Sequence, residues 1–84
     1  MPYQVILKRS AEKELDTLSV QTRERILRQL LMLEENPRPH GIKKLQSEEG
    51  FRMRVGDYRV LYTIDDRKGQ IVIYALGHRR EVYR

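Results

Sequence analysis

The alternation of apolar and polar residues at the start of the chain predicts a β-strand over residues 3–8. In this segment, YQVILK, the apolar residues Tyr3, Val5 and Leu7 alternate with more polar neighbours, and Ile6 interrupts the pattern. A period of two residues places alternate side chains on opposite faces of a sheet. The first element is therefore expected to be a half-buried strand.

Two segments with helical spacing follow, and together they predict a helical hairpin. The first covers residues 11–18 with Ser10 as the expected N-cap, and the second covers residues 20–35 with Ser19 as the expected N-cap. The prolines and glycine of NPRPHG, which follows at once, are expected to end the second helix. The predicted apolar stripes are Ala11, Leu15 and Leu18 in the first helix and Ile26, Leu27, Leu30, Leu31 and Leu33 in the second.

The second half of the chain predicts three consecutive strands, at residues 51–55, 58–64 and 70–76. Gly56 and Asp57 suit a two-residue hairpin turn, because glycine readily adopts a positive φ. The segment DDRKG predicts a looser connection between the last two strands. The last strand, QIVIYAL, is a nearly continuous apolar run, which favours a central position covered on both faces.

These elements occur in the order β-α-α-β-β-β, which predicts an α+β fold with a mainly antiparallel sheet and a helical hairpin on one face. The 84 residues suit a single domain spanning residues 1–84, with residues 42–50 as a connecting loop. Alternation along the strand of residues 51–55 directs Arg52 and Arg54 away from the apolar face. The open face of the sheet is therefore expected to carry cations.

Composition narrows the chemistry that the chain can perform. It contains no cysteine, so disulfides and a thiol nucleophile are excluded. The sequence has no glycine-rich phosphate loop, HExxH motif or nucleophile elbow, and with only two histidines we expect neither a metal nor a cofactor. No apolar run approaches the roughly 20 residues of a membrane span. We therefore expect a soluble, cytoplasmic protein without a membrane partner.

The net charge of +5 is concentrated in the second half of the chain. Residues 51–84 contain eight Lys or Arg against four Asp or Glu, a net of +4, whereas residues 1–50 contain nine against eight, a net of +1. Such an asymmetry favours a polyanionic or acidic partner, and surface solubility is the simpler alternative.

Arginines and a tyrosine account for most of the candidate chemistry. Arginine presents a rigid fork of donors that matches phosphate oxygens, and it stays charged at any relevant pH. Several arginines on one sheet face could bind a phosphodiester. The candidates are Arg52, Arg54 and Arg59 in the predicted hairpin, and Arg79, Arg80, Tyr83 and Arg84 in the terminal segment GHRREVYR.

The segment FRMRVGDYRVLYTID, followed by a β-rich stretch and ALGHRREVYR, resembles the RelE/ParE superfamily of toxins from toxin–antitoxin systems. The resemblance spans essentially the whole chain and is stronger to the RelE branch. It implies a ribosome-dependent endoribonuclease that cuts messenger RNA and is held inactive by a cognate RelB-like antitoxin. It also implies that DNA is contacted only indirectly, through that antitoxin.

The resemblance further implies which residues form the site. It suggests Arg59 and Arg79 as clamps on the scissile phosphate, and Tyr83 as the base that activates the RNA 2′-hydroxyl. Arginine effectively cannot give up a proton, so His78 is a candidate for the acid that protonates the departing 5′-oxygen. The expected RNA-binding residues are Arg52, Arg54, Arg80 and His78.

Two other functions remain open for a chain with this resemblance. One is a ParE-like inhibitor of DNA gyrase, which would bind its target without RNA chemistry. The other is a non-toxic, antitoxin-binding partner in a DNA-binding repressor complex. A supercoiling assay and growth on overexpression, respectively, would separate these from a nuclease.

Overall fold

Two helices and five strands form the part of the chain that the computed structural model describes, residues 3–45 and 50–78. In chain order they are β1 Gln4–Leu7, α1 Arg9–Asp16, α2 Val20–Glu35, β2 Lys43–Lys44, β3 Phe51–Val55, β4 Tyr58–Asp65 and β5 Gln70–His78. The predicted α+β fold is confirmed. The structure differs from the prediction at β2, a two-residue strand inside the segment that was predicted to be a loop. Within the described ranges, neither helix has the length and apolar composition that crossing a membrane requires.

The strands form one sheet in the order β1-β5-β4-β3-β2. Strand β1 pairs parallel with β5, and the other three pairings are antiparallel. The central position predicted for the apolar last strand is confirmed, because β5 lies between β1 and β4.

The hydrophobic core lies between the helices and one face of the sheet. On α2 the core residues Ile26, Leu30 and Leu33 recur at helical spacing, but Leu27 and Leu31 are 38% and 61% exposed. Including these two in the core stripe was wrong, because steps of 100° per residue place them on a separate side of the helix. The core cluster consists of Ala11, Leu15, Ile26, Leu30, Leu33, Met53, Val55, Val60, Tyr62, Ile71, Ile73 and Leu76.

Of the two predicted helix caps, only the second is confirmed. The Ser19 hydroxyl accepts a hydrogen bond from the Thr22 backbone N–H at 3.3 Å, which satisfies a donor in the first turn of α2.

The first helix begins earlier than the cap prediction placed it. It starts at Arg9, directly after Lys8, whose backbone N–H still donates to the Ile73 carbonyl at 2.9 Å. The pairing of β1 with β5 therefore runs up to the helix and leaves no room for a separate cap. Ser10 lies inside the helix, where its hydroxyl donates to the Tyr74 carbonyl at 3.5 Å, so the predicted Ser10 cap was wrong.

The turn between β3 and β4 has the predicted two residues. Val55 pairs with Tyr58, and Gly56 adopts φ +61°. A positive φ at the first central residue, with none at Asp57, matches the hairpin turn that favours glycine at that position. This short turn fixes the register of the hairpin, and with it the neighbours of every arginine that the hairpin carries.

A polar clamp holds the start of β1, the segment after α2 and the β4–β5 loop together. The Arg38 guanidinium donates to both carboxylate oxygens of Asp66, at 3.3 and 3.0 Å, and the Tyr3 hydroxyl donates to the same carboxylate at 2.6 Å. The hydrogen bonds from Arg38 and then Tyr3 hold the pKa of Asp66 below its usual value. The Arg38 guanidinium also lies 5.7 Å from the centre of the Phe51 ring.

Beneath this clamp, the buried Tyr62 hydroxyl donates to the Pro37 carbonyl at 3.0 Å. Burial raises the pKa of Tyr62 to about 12, because the phenolate would lose its hydration. Tyr62 therefore ties the proline-containing segment to the middle of the sheet as a neutral hydrogen-bond donor.

Candidate functional site

Three of the predicted site residues, Arg52, Arg54 and Arg59, lie on the sheet face opposite the helices. In β3 they alternate with Met53 and Val55, which are buried in the core. On β4, Arg59 stands directly opposite Arg54 in the antiparallel register, so it shares that face. The predicted orientation of the two β3 arginines is confirmed, and β4 adds the third from the neighbouring strand.

The register sets the spacing of these charges. Side chains directly opposite each other on antiparallel strands have Cβ atoms about 5 Å apart, which applies to Arg54 and Arg59. Arg52 lies two residues along β3 from Arg54, which is about 7 Å. Like charges directly opposite one another are unfavourable unless an anion lies between them. The arrangement therefore creates a local positive potential on an accessible surface.

A fourth cation joins this face from β2. Lys43 stands opposite Arg52 in the β2–β3 register, whereas Lys44 stands opposite Phe51 and shares its side of the sheet. Lys43 was not among the predicted site residues, because a two-residue strand has no alternation from which its orientation could be predicted. Only its pairing with β3 reveals its orientation. We use the name basic face for Lys43, Arg52, Arg54 and Arg59.

Small and apolar side chains lie beside the basic face on the central strands. Arg59 stands opposite Gly77 of β5, and Leu61, opposite Arg52, stands opposite Ala75. Gly77 has no side chain, and it is buried beside Arg59. The neighbours of Arg52 and Arg59 on the central strands are therefore small or apolar and carry no charge.

His78 is not brought together with the arginines, so its expected position in the site was wrong. It stands opposite Tyr58, whose other neighbour is the buried Val55, on the helix side of the sheet. The two rings meet edge to face, with centroids 5.8 Å apart and planes at 78°. His78 therefore packs against tyrosine on the face opposite the basic face.

A β-bulge in β5 is the physical cause of this placement. Leu61 of β4 pairs with Ala75, but the next residue, Tyr62, pairs with Ile73, so Tyr74 is an extra residue in β5. The insertion reverses the alternation beyond it, and bulges commonly redirect side chains in this way. Without the bulge, His78 would face the arginines.

Four remaining candidates lie outside the described residues: Arg79, Arg80, Tyr83 and Arg84. Within residues 3–45 and 50–78, no three His, Asp or Glu side chains gather in a group that could hold a metal ion. The candidate groups in the described part of the site are the guanidinium and ammonium groups of the basic face.

Comparisons with known proteins agree on one family. A family model described as the ParE toxin of the type II toxin–antitoxin system parDE matches residues 5–83. None of the curated proteins matches the chain.

Solved structures show the same fold over nearly the whole chain. The archaeal RelE–RelB complex from Pyrococcus horikoshii OT3 contains a chain with a TM-score of 0.85 and 30% identity, and the match covers 96% of this chain and 99% of that one. For the toxin–antitoxin complex RelBE2 from Mycobacterium tuberculosis, the TM-score is 0.83 at 30% identity, with 94% and 100% covered. The isolated E. coli RelE toxin gives a TM-score of 0.80 at 26% identity, with 96% and 90% covered.

Proposed function

Because the chain belongs to the RelE/ParE superfamily of toxins from type II toxin–antitoxin systems, we propose that it is an endoribonuclease that cleaves messenger RNA on the ribosome. The observation that carries the proposal is the presence of Arg52, Arg54 and Arg59 on one face of two adjacent strands. A single-stranded RNA backbone is a row of phosphates, and arginine binds phosphate through two parallel hydrogen bonds.

In the proposed reaction, the RNA 2′-oxygen attacks the adjacent phosphorus. The new bond joins the 2′-oxygen to phosphorus, and the bond from phosphorus to the 5′-oxygen breaks, which leaves a cyclic phosphate and a free 5′-hydroxyl. The 2′-hydroxyl proton passes to a base, and the departing 5′-oxygen receives a proton from an acid. Negative charge on the non-bridging oxygens increases in the transition state, where preplaced cations stabilise it most.

The basic face supplies the stabilising groups in this scheme. Arg59 binds the non-bridging oxygens of the scissile phosphate, since it lies on the inner of the two hairpin strands, between Arg54 on β3 and Gly77 on β5. Arg52 and Arg54 hold flanking phosphates and so align the 2′-oxygen with the phosphorus.

In the proposed reaction, residues outside the described ranges take part in proton transfer and make further contacts with the RNA. Tyr83 is the proposed base, Arg79 the second clamp and Arg80 a contact to flanking RNA. An ordinary tyrosine has a pKa near 10, so nearby cations are needed to favour its phenolate. His78 is not assigned a role, because it lies on the other side of the sheet.

The test is cleavage of a translated message, with two arginine variants compared at equal charge. Arg59→Ala removes a cation from the basic face, and Arg28→Ala removes one from the exposed surface of α2. Primer extension on the message should show cleavage reduced by about 10²-fold or more for Arg59→Ala, as for loss of one transition-state donor. Arg28→Ala should cleave like the parent chain. Equal cleavage by both variants, with both folded by circular dichroism, would contradict the proposed role of Arg59.

We also propose that a cognate RelB-like antitoxin binds and inhibits this toxin in the cytoplasm. The structural relatives from Pyrococcus horikoshii and Mycobacterium tuberculosis come from complexes of this kind. Any contact with DNA would then be made through the antitoxin. Co-expression with a small adjacent reading frame should restore growth that the toxin alone arrests. Normal growth without the antitoxin would instead favour a non-toxic partner in a repressor complex.

A second candidate function is inhibition of DNA gyrase, favoured by the description of the matching family model as a ParE toxin. A supercoiling assay with the purified chain separates the two candidates. Inhibition of gyrase together with no cleavage of translated message would replace the nuclease proposal.

A further inference from the structure

The basic face continues to the edge of the sheet through Lys43. Strand β2 is the edge strand, and its first residue stands opposite Arg52. The four cations thus form two rows across the strands: Arg54 with Arg59, and Lys43 with Arg52. The rows lie two residues apart along β3, which is about 7 Å.

The pairing of Lys43 with Arg52 is not what protection of a sheet edge alone would select. Lysine on an edge strand does discourage pairing with other chains. Glutamate would also charge the edge, and opposite Arg52 it would form a favourable cross-strand pair instead of a repulsive one. Lysine at this position instead places a second cation beside Arg52, on the face of the sheet that carries the arginines.

Lys44 provides the internal comparison. It is adjacent in sequence, has the same charge, is also exposed and belongs to the same two-residue strand. Its partner is Phe51, whose side of the sheet is the helix side. Any general effect of positive charge near β2 therefore applies to both lysines, and only a specific contact on the basic face distinguishes them.

We propose that Lys43 binds a phosphate of single-stranded RNA next to those held by the arginines, so that the RNA backbone leaves the site over β2. The inference rests on the proposed function, since it assigns a path over β2 to a further part of the same RNA substrate. From β4 to β2 the basic face spans two strand spacings, about 9.6 Å, which is wider than one phosphate group. The surface therefore binds at least two phosphates, and the outer one lies at the sheet edge.

The test measures how RNA affinity depends on salt. The probe is a short, fluorescent single-stranded RNA with 2′-O-methyl riboses, which cannot be cut because its 2′-oxygen cannot attack. Binding to the purified full chain is followed by anisotropy from 50 to 200 mM salt. Each phosphate contact on a single strand adds about 0.7 to the slope of log affinity against log salt.

Lys43→Met should lower this slope by about 0.7, so that the affinity ratio to the parent chain changes about 2.6-fold across the salt range. Lys44→Met, with the same loss of charge, should keep the parent slope, and Lys43→Arg should keep it too. Equal slopes for Lys43→Met and Lys44→Met would overturn the inference. Melting curves of the two methionine variants check that both are folded.

The outcome is separable from that of the nuclease proposal. If translated message is cut but the two lysine variants bind RNA alike, the RNA path over β2 is wrong and the nuclease stands. If the Lys43-dependent slope is observed but no message is cut, the nuclease proposal fails and the RNA-binding surface remains.

Discussion

Replacing Arg54 by methionine should stabilise the free protein while weakening its function. Arg54 is exposed and stands directly opposite Arg59, with Arg52 two residues away on the same strand. Methionine keeps an unbranched apolar stem of similar shape and removes only the charge. The variant therefore isolates the electrostatic cost of clustering arginines on one face.

The magnitude follows from the spacing. Two unit charges about 6 Å apart repel by about 0.7 kcal/mol in water, and by several-fold more at the lower effective dielectric of a protein surface. Arg52 at about 7 Å adds a similar amount. Since these side chains can splay apart, we expect a net gain of about 1 kcal/mol at low salt. In a domain of this size that corresponds to a rise in melting temperature of about 4–8 °C.

The assay is urea unfolding at low and high salt, where screening acts as a control. The Debye length falls from about 30 Å at 0.01 M to about 3 Å at 1 M, so the gain should be largest at low salt and nearly vanish at high salt. Arg67→Met is the matched control, because Arg67 follows Asp65 and Asp66 in the chain and should gain nothing. If Arg54→Met is destabilised at low salt, or gains equally at both salts, the basic face is not under repulsion and our reasoning about bound anions fails.

Two further predictions concern the folded core. Since the pKa of Tyr62 is raised to about 12, the stability it contributes is present below pH 10 and is lost as the pH rises through 12. Two pKa units correspond to about 2–3 kcal/mol. The free energy of unfolding measured in urea should therefore fall less steeply between about pH 10 and 12 for Tyr62→Phe than for the parent chain. Gly50→Ala should cost about 1–3 kcal/mol, because Gly50 has φ +140° and a Cβ there would lie 3.0 Å from the Tyr62 carbonyl oxygen. Gly69→Ala, at φ +63° with open space around it, should cost less by the same assay, and equal costs would show that the contact at Gly50 is unimportant.

The hairpin of β3 and β4 shows how far local sequence can locate a site. Strict alternation in FRMRV assigns the faces of β3, and the two-residue turn at Gly56 and Asp57 fixes the partner of every residue on β4. Both signals lie within a few residues of each other. The orientation of Arg52, Arg54 and Arg59 was therefore within reach of the sequence alone.

The orientations of Lys43 and His78 could not be predicted in this way, because they depend on pairing with distant parts of the chain. Lys43 acquires its orientation only from pairing with β3, and two residues cannot show a period. His78 changes sides because of one extra residue at Tyr74, and nothing in the apolar run QIVIYAL indicates where a bulge interrupts it. The helix cap at Ser10 failed for a similar reason, since the extent of β1 depends on its pairing with β5.

One face of the sheet packs in the hydrophobic core and the other carries the basic face, which explains how the fold tolerates repulsion among the clustered cations. The buried apolar side chains of the core cluster lie between the helices and one face, and each contributes about 1.5–3 kcal/mol on burial. The basic face contains none of them, so a cost of about 1 kcal/mol there is small beside the core. The bulge in β5 serves this division, because it turns Gly77 toward Arg59 and His78 toward Tyr58. It follows that deleting Tyr74 should restore strict alternation while leaving Gly77 opposite Arg59 and His78 opposite Tyr58, because the residue removed is the extra one. Such a variant should therefore bind the single-stranded RNA probe like the parent chain, and a large loss of affinity in a folded variant would contradict this account of the bulge.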